Sequence, residues 1–186
     1  MRSVFLILLF KFSFLFSATY YVETTGTDNL SCSVSNPCEH IQYAIELTVD
    51  NDVVIVSEGT YTENLHIVHA ITLKSDDPLN PAIIDGSTPD SNDWNGSCIV
   101  VQTPRGRNSR ITATIEDITV TGGKGTIVKV DGNKDGDFDD IEDISKKVGG
   151  GIIIHQANLN SRRNKVINNG GSGTDEGGGI YAAGTG

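Results

Sequence analysis

Six oxygen-bearing side chains recur at fixed intervals in DGNKDGDFDDIE, residues 131–142: Asp131, Asn133, Asp135, Asp137, Asp139 and Glu142. They fall at positions 1, 3, 5, 7, 9 and 12 of a twelve-residue segment. A hard cation takes about 6–8 oxygen ligands, and a loop of this length can wrap them around one calcium ion. In such a loop position 7 ligates through its backbone carbonyl, position 9 often through a water, and Glu at position 12 through both oxygens. Gly136 stands at position 6, where the sharp turn needs a residue without Cβ. The expected cofactor is therefore calcium, held by these six residues.

The segment resembles an EF-hand calcium loop and matches every specified position of D-x-[DN]-x-[DN]-G-x5-E, with the apolar Phe138 at position 8. An acidic, solvated turn is the bland alternative. The flanks depart from helix–loop–helix. Residues 122–130, GGKGTIVKV, are glycine-rich and then β-branched, which predicts a strand. Residues 141–148 could form two helical turns before Gly149 stops them. A rigid extracellular calcium clip fits these flanks better than a sensor with an opening helix pair.

Other groups with chemical potential are scattered. Arg105, Arg107 and Arg110 share one stretch, and Arg162, Arg163 and Lys165 another, but no motif sets them beside the acids. Asp85, Asp90 and Asp93 are possible carboxylate partners, although they read more readily as turn residues. His40, His66, His69 and His155 do not form a metal-ligand spacing. The odd separation of His66 and His69 puts them on different strand faces, with His69 in the inward series of Leu65, Ile67 and Ile71. The glycine runs at 122–125 and 170–173 lack the strand–loop–helix context of a phosphate cradle and read as tight corners.

The N-terminus sets the compartment. Met-Arg is followed by VFLILLF, Lys11 and FSFLFSA ending at Ala18, a short apolar core closing on small residues. This predicts a secretory signal peptide over residues 1–18, with an uncleaved anchor as the alternative. Cleavage would remove Arg2 and Lys11 and no acid, taking the net charge from -10 to about -12. Such an acidic chain repels nucleic acid and anionic membrane, and no membrane span remains after cleavage. Three cysteines are present. Cys32 and Cys38 bracket a short turn-prone stretch containing Asn36 and Pro37, and in an exported chain they are expected to form a disulfide rather than remain thiols. Cys98, within an apolar run, reads as a small core residue.

The elements that must carry these groups are short. One amphipathic helix is predicted within residues 37–48, where Ile41, Ala44, Ile45 and Thr48 share a stripe. Brief apolar pulses follow at residues 53–56, 65–73, 83–84, 99–101, 111–115, 118–120, 152–154, 166–167 and 180–181, each bounded by turn residues. ITVTGG at 118–123 parallels VINNGG at 166–171, and GGGIII at 149–154 parallels GGGIY at 177–181. The acidic loop fills the gap between the first members of these pairs, so residues 125–148 read as an insertion in one repeat. Asn158, Asn160, Asn164, Asn168 and Asn169 suit left-handed corners and stacked amide ladders.

With YYVETTGTD at 20–28, IQYAI at 41–45, DVVIVSEGTYTENL at 52–65 and ITLKS at 71–75, the chain resembles the right-handed parallel β-helix proteins of the pectate-lyase-like superfamily. The resemblance implies an all-β solenoid over residues 19–186 with an N-terminal capping helix, and the stop at Gly186 just after a repeat strand leads to the expectation that it is truncated at its C-terminus. It specifies fold more than activity. Taken with the acidic loop and the signal segment, it leads to the expectation of a secreted or cell-surface, calcium-binding scaffold with an adhesive or carbohydrate-binding role, whose partner is a polysaccharide or other surface polymer. No catalytic residue is assigned. The alternative is a polysaccharide lyase or glycoside hydrolase whose active site lies largely beyond these coils.

Overall fold

The computed structural model describes residues 17–88, 96–130, 144–171, 174 and 177–183. The expected signal segment lies almost wholly outside them. The chain opens with β1 (Thr19–Val22) and the helix α1 (Ile41–Glu46). It then passes through β2 (Val53–Val56), β3 (Thr60–Tyr61) and β4 (Leu65–Ile67), and again through β5 (Thr72–Ser75), β6 (Ile83–Asp85) and β7 (Ile99–Gln102). A third pass holds β8 (Thr112–Glu116), β9 (Thr119–Thr121), β10 (Thr126–Val130), β11 (Ile144–Val148) and β12 (Ile152–His155). The last holds β13 (Asn158–Arg162), β14 (Lys165–Val166) and β15 (Ile180–Ala183).

These strands make three parallel sheets, ordered β1-β2-β5-β8-β13, β3-β6-β9-β14 and β4-β7-β12-β15. The chain visits them in fixed rotation, so each new strand lies on the one from the previous pass. Strand alternation explains the packing: Val54, Val56, Leu73, Ala113 and Ile115 are buried, while Ile55, Lys74 and Thr114, which alternate with them, are less buried on the other face. Side chains from all three sheets meet in one core. No helix among the described residues is long and apolar enough to cross a membrane.

Helix α1 packs against β1, β2 and β4. Its predicted stripe is the buried one, with Ile41, Ala44, Ile45 and Thr48 inside. The His40 side chain at the N-cap makes no capping bond to the helix. Instead Glu63, from the corner between β3 and β4, accepts the Ile41 and Gln42 N–H groups at 2.9 Å each. Gln42 in turn accepts the His66 N–H at 2.8 Å, so the helix is pinned to the first pass at two points. Burial pushes the Glu63 carboxyl above its ordinary range despite these two donors.

The cysteines behave as expected. Cys32 and Cys38 form a disulfide. The loop it closes lies along β1: Tyr21 N–H donates to Cys32 O at 2.7 Å, Cys38 N–H to Tyr21 O at 2.9 Å, and Glu23 N–H to Cys38 O at 2.9 Å. The edge of β1 away from β2 is thus hydrogen-bonded. Cys98 is free and buried, and burial pushes its thiol up to about 11.

Four expectations need correction. Residues 144–148 are strand β11, paired antiparallel with β10, and not helical turns. The pairing decides it, because β10 offers a backbone ladder that a two-turn helix could not equal. Asn158 and Asn160 sit within strand β13 rather than at corners. That strand has one apolar residue, Leu159, and owes its form to stacking on β8. His69 is a partly exposed corner residue rather than an inward one, since the turn between β4 and β5 interrupts the alternation. Finally, Thr119 and Val120 pair with Lys165 and Val166, so the first repeat is offset by two residues from the glycine alignment. Inward side chains stay inward under an even shift. Asn168 (φ 54°) then takes the left-handed corner that Gly122 (φ 77°) takes one pass earlier. The second repeat is in the expected register, with Ile152 on Ile180.

Candidate functional site

The six predicted calcium ligands, Asp131, Asn133, Asp135, Asp137, Asp139 and Glu142, lie outside the described residues, as do Asp90 and Asp93. What carries the acidic loop is described. β10 and β11 form a hairpin in which Val130 pairs with Ile144 and Thr126 with Val148. β-branched residues suit such a pleated ribbon. At its base, Lys124 and Gly125 donate N–H bonds to Gly96 O at 2.6 and 2.8 Å, and Ser97 Oγ lies 2.8 Å from Thr126 Oγ1. A Cβ on Gly96 would fall 1.7 Å from Gly125 O, so this backbone approach requires glycine.

The hairpin does not stand free. Val148 is buried with Val100 and Ile153, and Val128 and Tyr181 pack around them. Ile99, Val101 and Ile152 point into the main core, so Val100 and Ile153 belong to the opposite, outward face of the β4-β7-β12-β15 sheet. The ribbon that bears the acidic loop is therefore seated on that face.

Beside it runs a polar row. His66 Nε2 is 3.0 Å from Gln102 Oε1, and Gln102 Nε2 is 3.2 Å from His155 Nδ1. With the amide oriented this way, its oxygen accepts from His66 Nε2–H and its NH2 donates to His155 Nδ1, which must therefore carry no proton. Burial holds His66 below its ordinary range, against the bond to Gln102. Burial first and the Arg105 charge second do the same to His155. Neutral imidazoles and an amide can exchange hydrogen bonds with uncharged hydroxyl groups.

Comparison with protein-family models, curated proteins and solved structures finds no match to this chain.

Three of the six Arg and Lys residues named above are engaged by the fold. Arg107 pairs with Asp50, whose carboxyl also accepts Ala70 N–H at 2.9 Å and lies 3.7 Å from His69 Nδ1. Arg162 lies 3.4 Å from Glu116, and Arg163 binds Asp117 through two nitrogens. His40 Nδ1 is 2.8 Å from Asp28 Oδ2. Asp85 accepts Ser87 N–H at 2.9 Å, a turn role. Asn169 accepts Gly123 N–H at 2.9 Å and donates to Val120 O at 2.9 Å, linking two passes at a corner. Among the described residues no group of three His, Cys, Asp or Glu side chains is placed to hold a metal. The His66–Gln102–His155 row was not visible in the sequence, because its members lie far apart and meet only through strand register.

Proposed function

We propose that this chain is an exported, right-handed parallel β-helix, capped by α1 and stabilised by calcium, that presents a flat face to a polymeric ligand at or outside the cell surface. The observation that carries this reading is the pairing of Val130 with Ile144. Paired strands run about 4.7–4.9 Å apart, so the chain enters and leaves the acidic loop side by side. Asp131 follows the first partner directly and Glu142 precedes the second by two residues. A hairpin thus supplies the end-to-end closure that a helix pair supplies around an EF-hand loop. The six oxygens would hold the ion, and its charge would offset the repulsion among the loop's acids.

The rotation through three parallel sheets supports the β-helix, since stacked strands bury apolar faces that no single pass can bury. The disulfide supports an oxidising compartment. The His66–Gln102–His155 row supports a hydroxyl-rich polymer such as a polysaccharide. Engagement of Arg107, Arg162 and Arg163 with Asp50, Glu116 and Asp117 makes these three poor candidates for the base of a lyase and is in keeping with a scaffold. Calorimetric titration with calcium tests the reading: one ion per chain is expected, with binding lost in the Asp131→Ala, Glu142→Ala double variant. Absence of binding by the wild type would overturn it.

A further inference from the structure

Gln102 serves two histidines with one amide. The amide has an oxygen that accepts and an NH2 that donates. Its oxygen faces His66 Nε2 at 3.0 Å and its NH2 faces His155 Nδ1 at 3.2 Å. Turned over, it would serve the same pair with the roles exchanged. In neither orientation can it accept from both rings. A histidine cation carries N–H on both ring nitrogens. One proton from solvent can therefore be housed with both bonds kept: on His66 as the row stands, or on His155 with the amide turned over. A second proton sets an N–H against the NH2 and breaks one bond.

The row lies against the seat of the hairpin. Gln102 is paired with His155 in the sheet, and His66 with Val100. Val100 and Ile153, two residues before Gln102 and His155 on the same face, are buried with Val148 of the hairpin. All three members of the row are half-buried, where an N–H without an acceptor is costly. The elements packed around this face bring Glu46 of α1, Lys129, Lys146 and Lys147 of the hairpin, Tyr181 of β15 and Arg105 after β7. Among these described residues Arg105 is the one whose charge bears on a ring, and it opposes a proton on His155.

We propose that the His66–Gln102–His155 row is an acid-sensitive latch for the β10-β11 hairpin, sound with one proton bound and broken by two. Below the second step the stranded N–H takes up water and the seat on Val100 and Ile153 opens, which frees the hairpin while the stacked coils stay folded.

An NMR titration of both imidazole rings and of the backbone amides tests this. The wild type should show two macroscopic steps separated by at least about one pH unit, as coupled sites do. The Val128 and Val148 amides should move in the second step, and those of Val54 and Leu73 should not. Gln102→Glu supplies two accepting oxygens, so both rings should titrate at higher pH and the hairpin should stay seated through both steps. His66→Ala frees the amide oxygen for His155, whose titration should move to higher pH, and the coil amides report that this variant is folded. Rings that titrate independently, or hairpin amides that stay still in the second step or move only together with those of Val54 and Leu73, would overturn the proposal.

Discussion

Arg163 lies over Asp117 from the previous pass, with Nε 2.6 Å from Oδ1 and Nη2 2.7 Å from Oδ2. Both residues have left-handed backbone, φ 53° and 57°, at the same corner of successive passes. The corner geometry aims both side chains along the stack, and the pairing joins two turns of chain that are far apart in sequence.

The bond from Arg163 holds the Asp117 carboxyl below its ordinary range. A depressed carboxylate contributes stability that is complete above its unfolded pKa, about 3.9, and fades as pH falls through its lower folded value. Arg163→Ala should lower the melting temperature at neutral pH, with the deficit shrinking below about pH 4. Arg163→Gly, which removes the same bond but accepts the positive φ, should melt above Arg163→Ala. Thermal melts of the three proteins across acid pH check both statements.

Glu63 caps a helix to which it does not belong. Glu63→Ala leaves the Ile41 and Gln42 N–H groups without their acceptor, and should cost about 1–2 kcal/mol in urea unfolding. Glu63→Gln, which keeps one acceptor oxygen, should cost less. Equal stability of Glu63→Ala and wild type would show that these two bonds do not hold the helix.

His40 responds to pH in the opposite sense to Asp117. Its bond to Asp28 raises its pKa, against the effect of burial. The stabilisation is complete below the unfolded histidine value, about 6.5, and is lost as pH rises through the higher folded value. His40→Ala should therefore destabilise at about pH 6 and much less at about pH 9. Melting temperatures at those two pH values decide it.

Cys98, buried with its thiol pushed up to about 11, should resist a thiol reagent at about pH 8 until the protein unfolds. Its Sγ lies 2.9 Å from Thr121 O, inside the corner between sheets. Labelling of the native protein as fast as the denatured one would be incompatible with this packing.

Apolar pulses such as Val54 and Val56, or Ile111, Ala113 and Ile115, were legible because a period of two in short runs reports burial directly. The helix stripe of Ile41, Ala44 and Ile45 was legible for the same kind of reason. β13 was not, since Asn158, Asn160 and Arg162 carry no apolar signal and become strand only by stacking on β8. β11 was misjudged because residues 144–148 suit either state locally, and the long-range partner β10 decides. The spacing of the acidic loop was plain, whereas its seat on Val100 and Ile153 depends on which strand face the hairpin meets. The bonds that join passes, Glu63 to α1, Arg163 to Asp117 and His66 to Gln102, depend on register that local spacing does not encode.

If calcium folds the hairpin loop, it must also stabilise the sheet on which the hairpin sits. Differential scanning calorimetry of the wild type in calcium and in chelator measures that linkage. At about a hundredfold excess over the dissociation constant, calcium should add about 2.7 kcal/mol. For a chain of this size that is a rise of roughly 5–10 °C. The gain should vanish in the Asp131→Ala, Glu142→Ala double variant. Superimposable wild-type transitions in calcium and chelator would rule out a calcium-folded hairpin.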